Sequence, residues 1–330
     1  MLVTADRIAL MAQLGAYMRS EDPAWKGARE RAVLANSWFT EEYIDLAIEN
    51  IVAAFLDEEQ LKRWLEGYPA PASSKNVGII MAGNIPLVGF HDFLCGFMSG
   101  HRLLLKLSSK DDVLLRHLLE KLAEWAPETA DQILIADMLK GCAAYIATGS
   151  NNSARYFTAY FGKYPHIIRR NRTSVAVLTG KESREQLMEL GKDVFTYFGL
   201  GCRNVTQISV PEGYDFTTLL EVFNTWEGML QHHKYRNNYD YHLALYLLNK
   251  VPYMTNGSLL LVENELPFSP VSVLHYRYYT DRNALVQALA ESDDIQCIAG
   301  EGQVPFGQTQ RPSLTDYPDG VDTMRFLSGL

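Results

Sequence analysis

Cys202 stands in Phe198-Gly199-Leu200-Gly201-Cys202-Arg203-Asn204, directly after a stretch, Ser183–Tyr197, whose pattern predicts a helix. Two glycines among the four residues before the thiol clear side chains from its approach and let the backbone turn sharply. Arg203 and the neighbouring backbone N–H groups could favour thiolate over thiol. A thiol presented in this way suits a nucleophile that accepts a bulky acyl group. A small thiol packed beside a loop is the bland reading of the same residues, and the rest of the chain decides between them.

Four other segments hold residues suited to chemistry. Ala82-Gly83-Asn84-Ile85-Pro86 follows an apolar strand. Strand ends of parallel sheets are where ligands bind, and the Asn84 carboxamide there can donate to a developing oxyanion. In Leu103-Leu104-Leu105-Lys106-Leu107-Ser108-Ser109-Lys110 a buried strand emerges into cations and hydroxyls, which suits a ribose and a phosphate. Ala147-Thr148-Gly149-Ser150-Asn151 passes from a strand through Gly-Ser into a helix, and backbone N–H groups at such a start attract anions. The fourth is Glu265-Leu266-Pro267-Phe268-Ser269-Pro270-Val271, with Pro305-Phe306-Gly307 further on. Taken singly, each also reads as an ordinary turn, cap or solvated strand end. Neither G-x-G-x-x-G nor G-x-x-x-x-G-K-[ST] occurs, so the usual nucleotide fingerprints give no support.

The elements that must position these residues are legible as periodicity. Residues 1–68 predict helices, with apolar positions at helical spacing in Ile8-Leu10-Met11-Leu14 and Tyr43-Ile44-Ala47-Ile48-Ile51, and a helix start at Thr40. After a Pro/Ala/Ser break at Tyr68–Ser74, strands are expected at Val77–Met81, Arg102–Leu107, Gln132–Met138, Ala143–Thr148 and Ser174–Leu178. Helices are expected between them, at Val88–Ser99, Val113–Trp125 and Ser153–Phe161. This alternation predicts βαβ units and parallel sheets covered on both faces. Beyond Cys202 the pattern gives strands at Val205–Val210, Leu259–Val262, Val271–Tyr276 and Met324–Leu327, with helices near Phe216–Leu230 and Tyr239–Leu248.

Composition bounds the class. The chain has 330 residues, 47% hydrophobic and 21% charged, which fits two domains or one large α/β unit with a sizeable core. A net charge of −9 without a long Lys/Arg stripe argues against a nucleic-acid partner. Arg169-Arg170-Asn171-Arg172 is the densest basic cluster and could meet a phosphate-bearing ligand. Four scattered cysteines with no C-x-x-C pair indicate neither a zinc site nor a disulfide framework, so no metal is expected and a reducing cytoplasm is the default. His232-His233 are adjacent and point apart on a helix. The start of the chain reads as an acid-containing amphipathic helix rather than a signal peptide. The most apolar stretch, Val77–Met98, contains Asn84, Pro86, His91 and Asp92 and predicts no membrane span.

In this order, from about Asn76 to Leu330, the segments resemble the aldehyde dehydrogenase superfamily. Within it they resemble the acyl-CoA reductase branch, the family of the fatty-acid reductase of bacterial bioluminescence. The resemblance implies an aldehyde dehydrogenase-like α/β fold behind a helical N-terminal segment. A Rossmann-like NAD(P)-binding domain would occupy residues 1–175. A catalytic domain, 176–330, would carry Cys202, with its C-terminal segment returning to the first domain. It makes Cys202 the nucleophile and Asn84 the side-chain oxyanion donor. Lys106, with Ser108 and Ser109, falls at the adenosine ribose, Gly149-Ser150 at the pyrophosphate, and Glu265 and Phe268 at the nicotinamide ribose, with one extra residue between these two. Pro305-Phe306-Gly307 matches a late family loop that needs no catalytic role.

Two departures matter. Where hydrolysing members carry Glu-Leu-Gly-Gly, this chain has Arg169-Arg170-Asn171-Arg172, and where NAD-selective members tend to place an acid it has Ser109. The implied function is reduction of an acyl thioester, acyl-CoA first among them, to an aldehyde through a Cys202 acyl-enzyme. NADPH is expected before NADH, and a homodimer is left open. The rival readings are a Cys-dependent acyltransferase or thioesterase without nicotinamide, and a non-catalytic binding relative.

Overall fold

A computed structural model describes residues 2–330. The chain forms two compact units: one runs up to Asn171 and takes in Pro312–Leu330, and the other is Arg172–Arg311.

The first unit is built on five parallel strands, β1 (Asn76–Ile80), β2 (Arg102–Lys106), β3 (Ile133–Ile135), β4 (Ala144–Thr148) and β5 (His166–Arg169), in the order β3-β2-β1-β4-β5. Central strands of such a sheet are buried on both faces, so Val77, Ile79, Leu103, Leu105 and Ile146 read as continuous apolar runs. Helix Phe90–Ser99 follows β1 and is buried along its whole length. It approaches β2 closely because Gly96 has no side chain: a Cβ there would lie 2.8 Å from Leu103 Cδ2. Gly100, at φ +81°, ends the helix in the left-handed conformation that glycine adopts without strain. Four helices, Thr4–Met18, Pro23–Ala35, Glu41–Phe55 and Glu58–Leu65, precede the sheet. Three of them start at side-chain caps: Asp22 accepts from Ala24 and Trp25 N–H, Thr40 from Tyr43 and Asp57 from Gln60.

The second unit holds six strands, β6 (Thr173–Val177), β7 (Val205–Pro211), β8 (Met254–Thr255), β9 (Leu260–Glu263), β10 (Val273–Tyr279) and β11 (Ile295–Gly300). Their order is β11-β6-β7-β10-β9-β8, parallel except for the short edge strand β8. Helix Arg184–Phe195 connects β6 to the Cys202 segment and opens with a reciprocal Ser183–Gln186 capping box. Gly191 lets Trp226 lie against this helix, where a Cβ would meet the indole at 2.2 Å. The Phe195 and Trp226 rings stack at 5.1 Å.

The α/β architecture and helical N-terminal segment expected from the pattern are present, and the element boundaries differ in informative places. Met324–Leu327, expected as a strand, lies in helix Thr323–Ser328. Asp322 caps it through Arg325 N–H at 2.8 Å, and Met324 and Leu327, three apart, turn onto one buried face. The helix expected at Tyr239–Leu248 begins six residues earlier, at His233, because the His232 ring caps Tyr235 N–H. The stretch near Phe216–Leu230 divides into helix Thr217–Phe223 and a 3₁₀ segment, Asn224–Gln231. β5 and β11 gave no separate signal in the sequence.

Candidate active site

In the first unit the order of strands reverses at β1 and β4, the place where open parallel sheets hold ligands outside their carboxyl ends. Three of the sequence-predicted segments meet at this edge. Asn84 follows β1 and is exposed, and Gly149-Ser150 follows β4. Lys106 closes β2, followed by Ser108, Ser109 and Lys110. The β1 and β2 loops are in contact: Met81 N–H donates to Lys106 O at 3.1 Å, and a Cβ on Gly83 would fall 2.5 Å from Ser108 Oγ. After β4, the Ser150 hydroxyl accepts from Ser153 N–H at 3.2 Å and starts helix Asn151–Phe161. A side chain at Gly149 would sit 2.9 Å from both Ser153 and Phe157, so the backbone turns tightly into the helix. The Thr148 hydroxyl, just before it, is buried without a hydrogen-bond partner.

Asp111, which no spacing or motif marks, underlies the Asn84 loop. Its Oδ2 accepts from Leu87 N–H at 2.7 Å, and Leu87 itself has φ +55°, a strained value for a branched side chain. Asp111 Oδ1 is buried and unpartnered. Burial pushes this carboxyl up to about 7, against the pull of hydrogen bonds from the Leu87 and Val88 backbone.

In the second unit Cys202 is half-buried and lies three residues before β7. The helix before it ends in an abrupt turn, with Tyr197, Phe198 and Gly199 at φ +54°, +57° and +75°. Two non-glycine residues in the left-handed region carry strain of about 1–3 kcal/mol each and persist only where the surroundings over-determine them. Asn204 provides that determination. Its fully buried amide donates to the carbonyls of Asp193 (3.0 Å), Val194 (3.4 Å) and Thr196 (2.7 Å), and its oxygen accepts from Gly201 N–H (2.8 Å). Ser174, on β6, donates to the Cys202 carbonyl at 3.1 Å, and Cys297 Sγ lies 3.0 Å from the same hydroxyl. Phe198 packs on the His232 ring at 4.2 Å.

The Glu265–Phe268 loop is brought to this end of the second sheet. Thr206 and Gln207, at the start of β7, donate to Pro267 O at 2.6 Å and Leu266 O at 3.2 Å. His275 on β10 also bonds Leu266 O, at 2.8 Å. Glu265 is exposed and meets Arg277 at 3.4 Å, and Phe268 is about one-third exposed, at 36%.

The basic cluster is differently placed from the expectation of a phosphate-facing patch. Arg169 closes β5 with its side chain buried in an ion pair with Asp92 and a 2.8 Å hydrogen bond to Thr323 Oγ1. Arg172 donates to Ile295 O at 3.1 Å and faces Asp293. Two of the three arginines therefore serve the fold, while Arg170 is exposed. Among the described residues no group of three or more His, Cys, Asp or Glu side chains is gathered to hold a metal ion. No described helix is long and apolar enough to cross a membrane.

No protein-family model matches the chain, and no curated protein matches it. Solved structures do. Aldehyde dehydrogenase 21 from Physcomitrella patens, in complex with the reaction product succinate, is 13% identical, with a TM-score of 0.66 over 91% of this chain and 74% of that one. A NAD-dependent benzaldehyde dehydrogenase from Corynebacterium glutamicum is 12% identical, with a TM-score of 0.64 over 90% and 76%. The NAD+ complex of an aldehyde dehydrogenase from Bacillus cereus is 12% identical, with a TM-score of 0.62 over 90% and 72%. Likeness at this identity is likeness of fold, and the fold of this chain is that of the aldehyde dehydrogenases.

Proposed function

We propose that this chain is a nicotinamide-dependent oxidoreductase that reduces an acyl thioester, acyl-CoA first among them, to an aldehyde. The observation that carries the reading is the Cys202 turn. A strained, left-handed backbone is fixed by a buried asparagine, and it ends in a half-buried thiol with glycines on its approach. A thiol that only filled space would not require that arrangement.

The strand-end loops of the first unit suit a dinucleotide. Gly149 keeps the backbone free of a side chain at the start of an 11-residue helix, whose first N–H groups and positive dipole end favour a pyrophosphate. Gly149 and Ser150 would hold that group, and Lys106, Ser108 and Ser109 the adenosine ribose. Glu265 and Phe268 are assigned to the nicotinamide ribose. A reduced nicotinamide, when bound, supplies the hydride that takes the acyl group to the aldehyde. NADPH is the preferred form: Ser109 is a neutral donor where a carboxylate would repel a 2′-phosphate, and Lys106 and Lys110, both exposed, bring positive charge.

The chain's own chemistry begins with the Cys202 thiolate attacking the thioester carbonyl. Asn84, by the resemblance, and the Cys202 backbone N–H stabilise the oxyanion. Collapse breaks the bond to the CoA sulfur, the CoA thiolate leaves, and the acyl group stays on Cys202. Hydrolysis of this acyl-enzyme needs a general base beside a water. By the resemblance the corresponding residue is Arg169, whose guanidinium is committed to Asp92 and Thr323 and accepts no proton. The acyl group therefore waits for hydride or a returning thiol.

The test is NADPH oxidation by the purified protein with an acyl-CoA, with the aldehyde measured as product. In reverse, aldehyde and NADP+ should give product only when CoA is added. Rapid formation of free acid without CoA would refute the Arg169 argument. CoA release without nicotinamide consumption would favour a thioesterase.

A further inference from the structure

The segment after β11 has more to do than close the fold. Asp193, buried near the end of helix Arg184–Phe195, receives three hydrogen bonds from it: Gly307 N–H at 2.7 Å, Thr309 N–H at 3.1 Å and Thr309 Oγ1 at 2.7 Å. Gly307, at φ +78°, is seated against the same helix, where a Cβ would fall 2.2 Å from Glu189 Oε2. Thr309 is fully buried.

The same helix end meets Cys202 from the other side. The last carbonyls of a helix have no partner within it. Here those of Asp193 and Val194, with Thr196 just beyond, are taken up by one side chain, the Asn204 amide, whose oxygen then fixes Gly201 N–H beside the thiol. A continuous path of hydrogen bonds thus runs from Thr309 through Asp193 and Asn204 to the residue preceding Cys202. Between its ends lie the three left-handed residues Tyr197, Phe198 and Gly199, which have other conformations to relax into if either anchor is released.

We propose that Thr309, Asp193 and Asn204 are positioning residues for Cys202, and that the Pro305–Thr309 segment sets the geometry of the nucleophile turn. The proposal rests on the reading of Cys202 as the nucleophile, and its test reads the turn without requiring turnover.

The experiment uses the full chain and its two half-buried cysteines, Cys202 and Cys297. Alkylation of each by iodoacetamide is timed by peptide mass spectrometry in wild type, Thr309→Val and Thr309→Ser. Acylation of Cys202 by an acyl-CoA is measured in parallel. Valine keeps the shape of threonine and loses the hydroxyl, whereas serine keeps the hydroxyl. In Thr309→Val the Cys202 alkylation rate should change by at least about threefold and acylation should fall about tenfold, while Cys297 stays at its wild-type rate. Thr309→Ser should restore both Cys202 rates. Unchanged Cys202 rates in Thr309→Val would overturn the proposal, as would an equal change at both cysteines, which would report general loosening. If Thr309→Val does not fold, Asp193→Asn, which keeps the shape and loses the charge, is judged by the same criteria. Wild-type protein that takes up no acyl group would refute the proposed function, while a selective change in Cys202 alkylation would still support the positioning role.

Discussion

The two edges that carry the candidate residues are built on opposite lines. At the carboxyl ends of β1, β2 and β4, Lys106 and Ser109 are exposed, and Asp111 Oδ1 and the Thr148 hydroxyl are buried without hydrogen-bond partners. At the start of β7, the Cys202 turn is tied from both sides by Asn204 and by Ser174. A surface that receives a diffusible ligand gains most where its donors and acceptors are not already paired. A residue that forms a covalent bond gains most from being held still. The proposed function follows this contrast, with Lys106, Ser109 and the Gly149-Ser150 turn proposed to bind cofactor and the Cys202 turn proposed to form the covalent bond.

Cys202→Ala is the change that should separate the two edges most. Turnover should disappear while nicotinamide binding, measured by fluorescence or calorimetry, stays near wild type. Equal loss of both would merge the two roles. Asn84→Ala should lose about 2.7–4 kcal/mol of transition-state stabilisation, read as kcat, if it acts as other oxyanion donors do. A loss confined to KM would make Asn84 a binding residue only.

The stability of the two edges should respond with opposite signs. Asn204→Ala leaves buried carbonyls unpaired and should destabilise the chain by about 2–3 kcal/mol. Asp111→Asn should stabilise it at high pH. The Asp111 carboxyl titrates near 7 in the fold and near 3.8 without it, so between these values the folded chain holds a proton that the unfolded chain has released. Raising the pH through that window therefore lowers stability, by a few kcal/mol once complete. Asparagine keeps an acceptor for Leu87 N–H and has no proton to lose. Thermal melts should show a higher Tm than wild type at about pH 8 and little difference at about pH 4. The same difference at both values would contradict the burial argument. Ser109→Glu, the mildest change, should move cofactor preference from NADPH toward NADH. Equal affinities in wild type that the substitution does not alter would remove Ser109 from the cofactor site.

Most of the first edge was legible in the sequence because its chemistry is local. A buried strand announces itself as an apolar run, and the residues after it become loop. Helix Val113–Trp125 and strand β4 fall where the periodicity puts them. The Met324–Leu327 stretch deceived because a short apolar run fits a strand or one face of a helix, and the Asp322 cap decided it. What holds the second edge was not legible. Asn204 acts through carbonyls that a left-handed turn folds back onto it, and Thr309 reaches Asp193 across more than a hundred residues. Arg169 reads in the sequence as part of a basic cluster suited to a phosphate, whereas in the fold Asp92, on the helix after β1, holds it in an ion pair. Partners distant in the chain leave no spacing to read.

The most direct test of the account is to mix the protein with an acyl-CoA in the absence of nicotinamide and weigh its peptides. The Cys202 peptide should gain one acyl mass, Cys297 none, and NADPH added afterwards should remove the acyl group as aldehyde. An unmodified Cys202, or an acyl group that sits on another residue, would contradict the assignment of bond-making to the Cys202 turn.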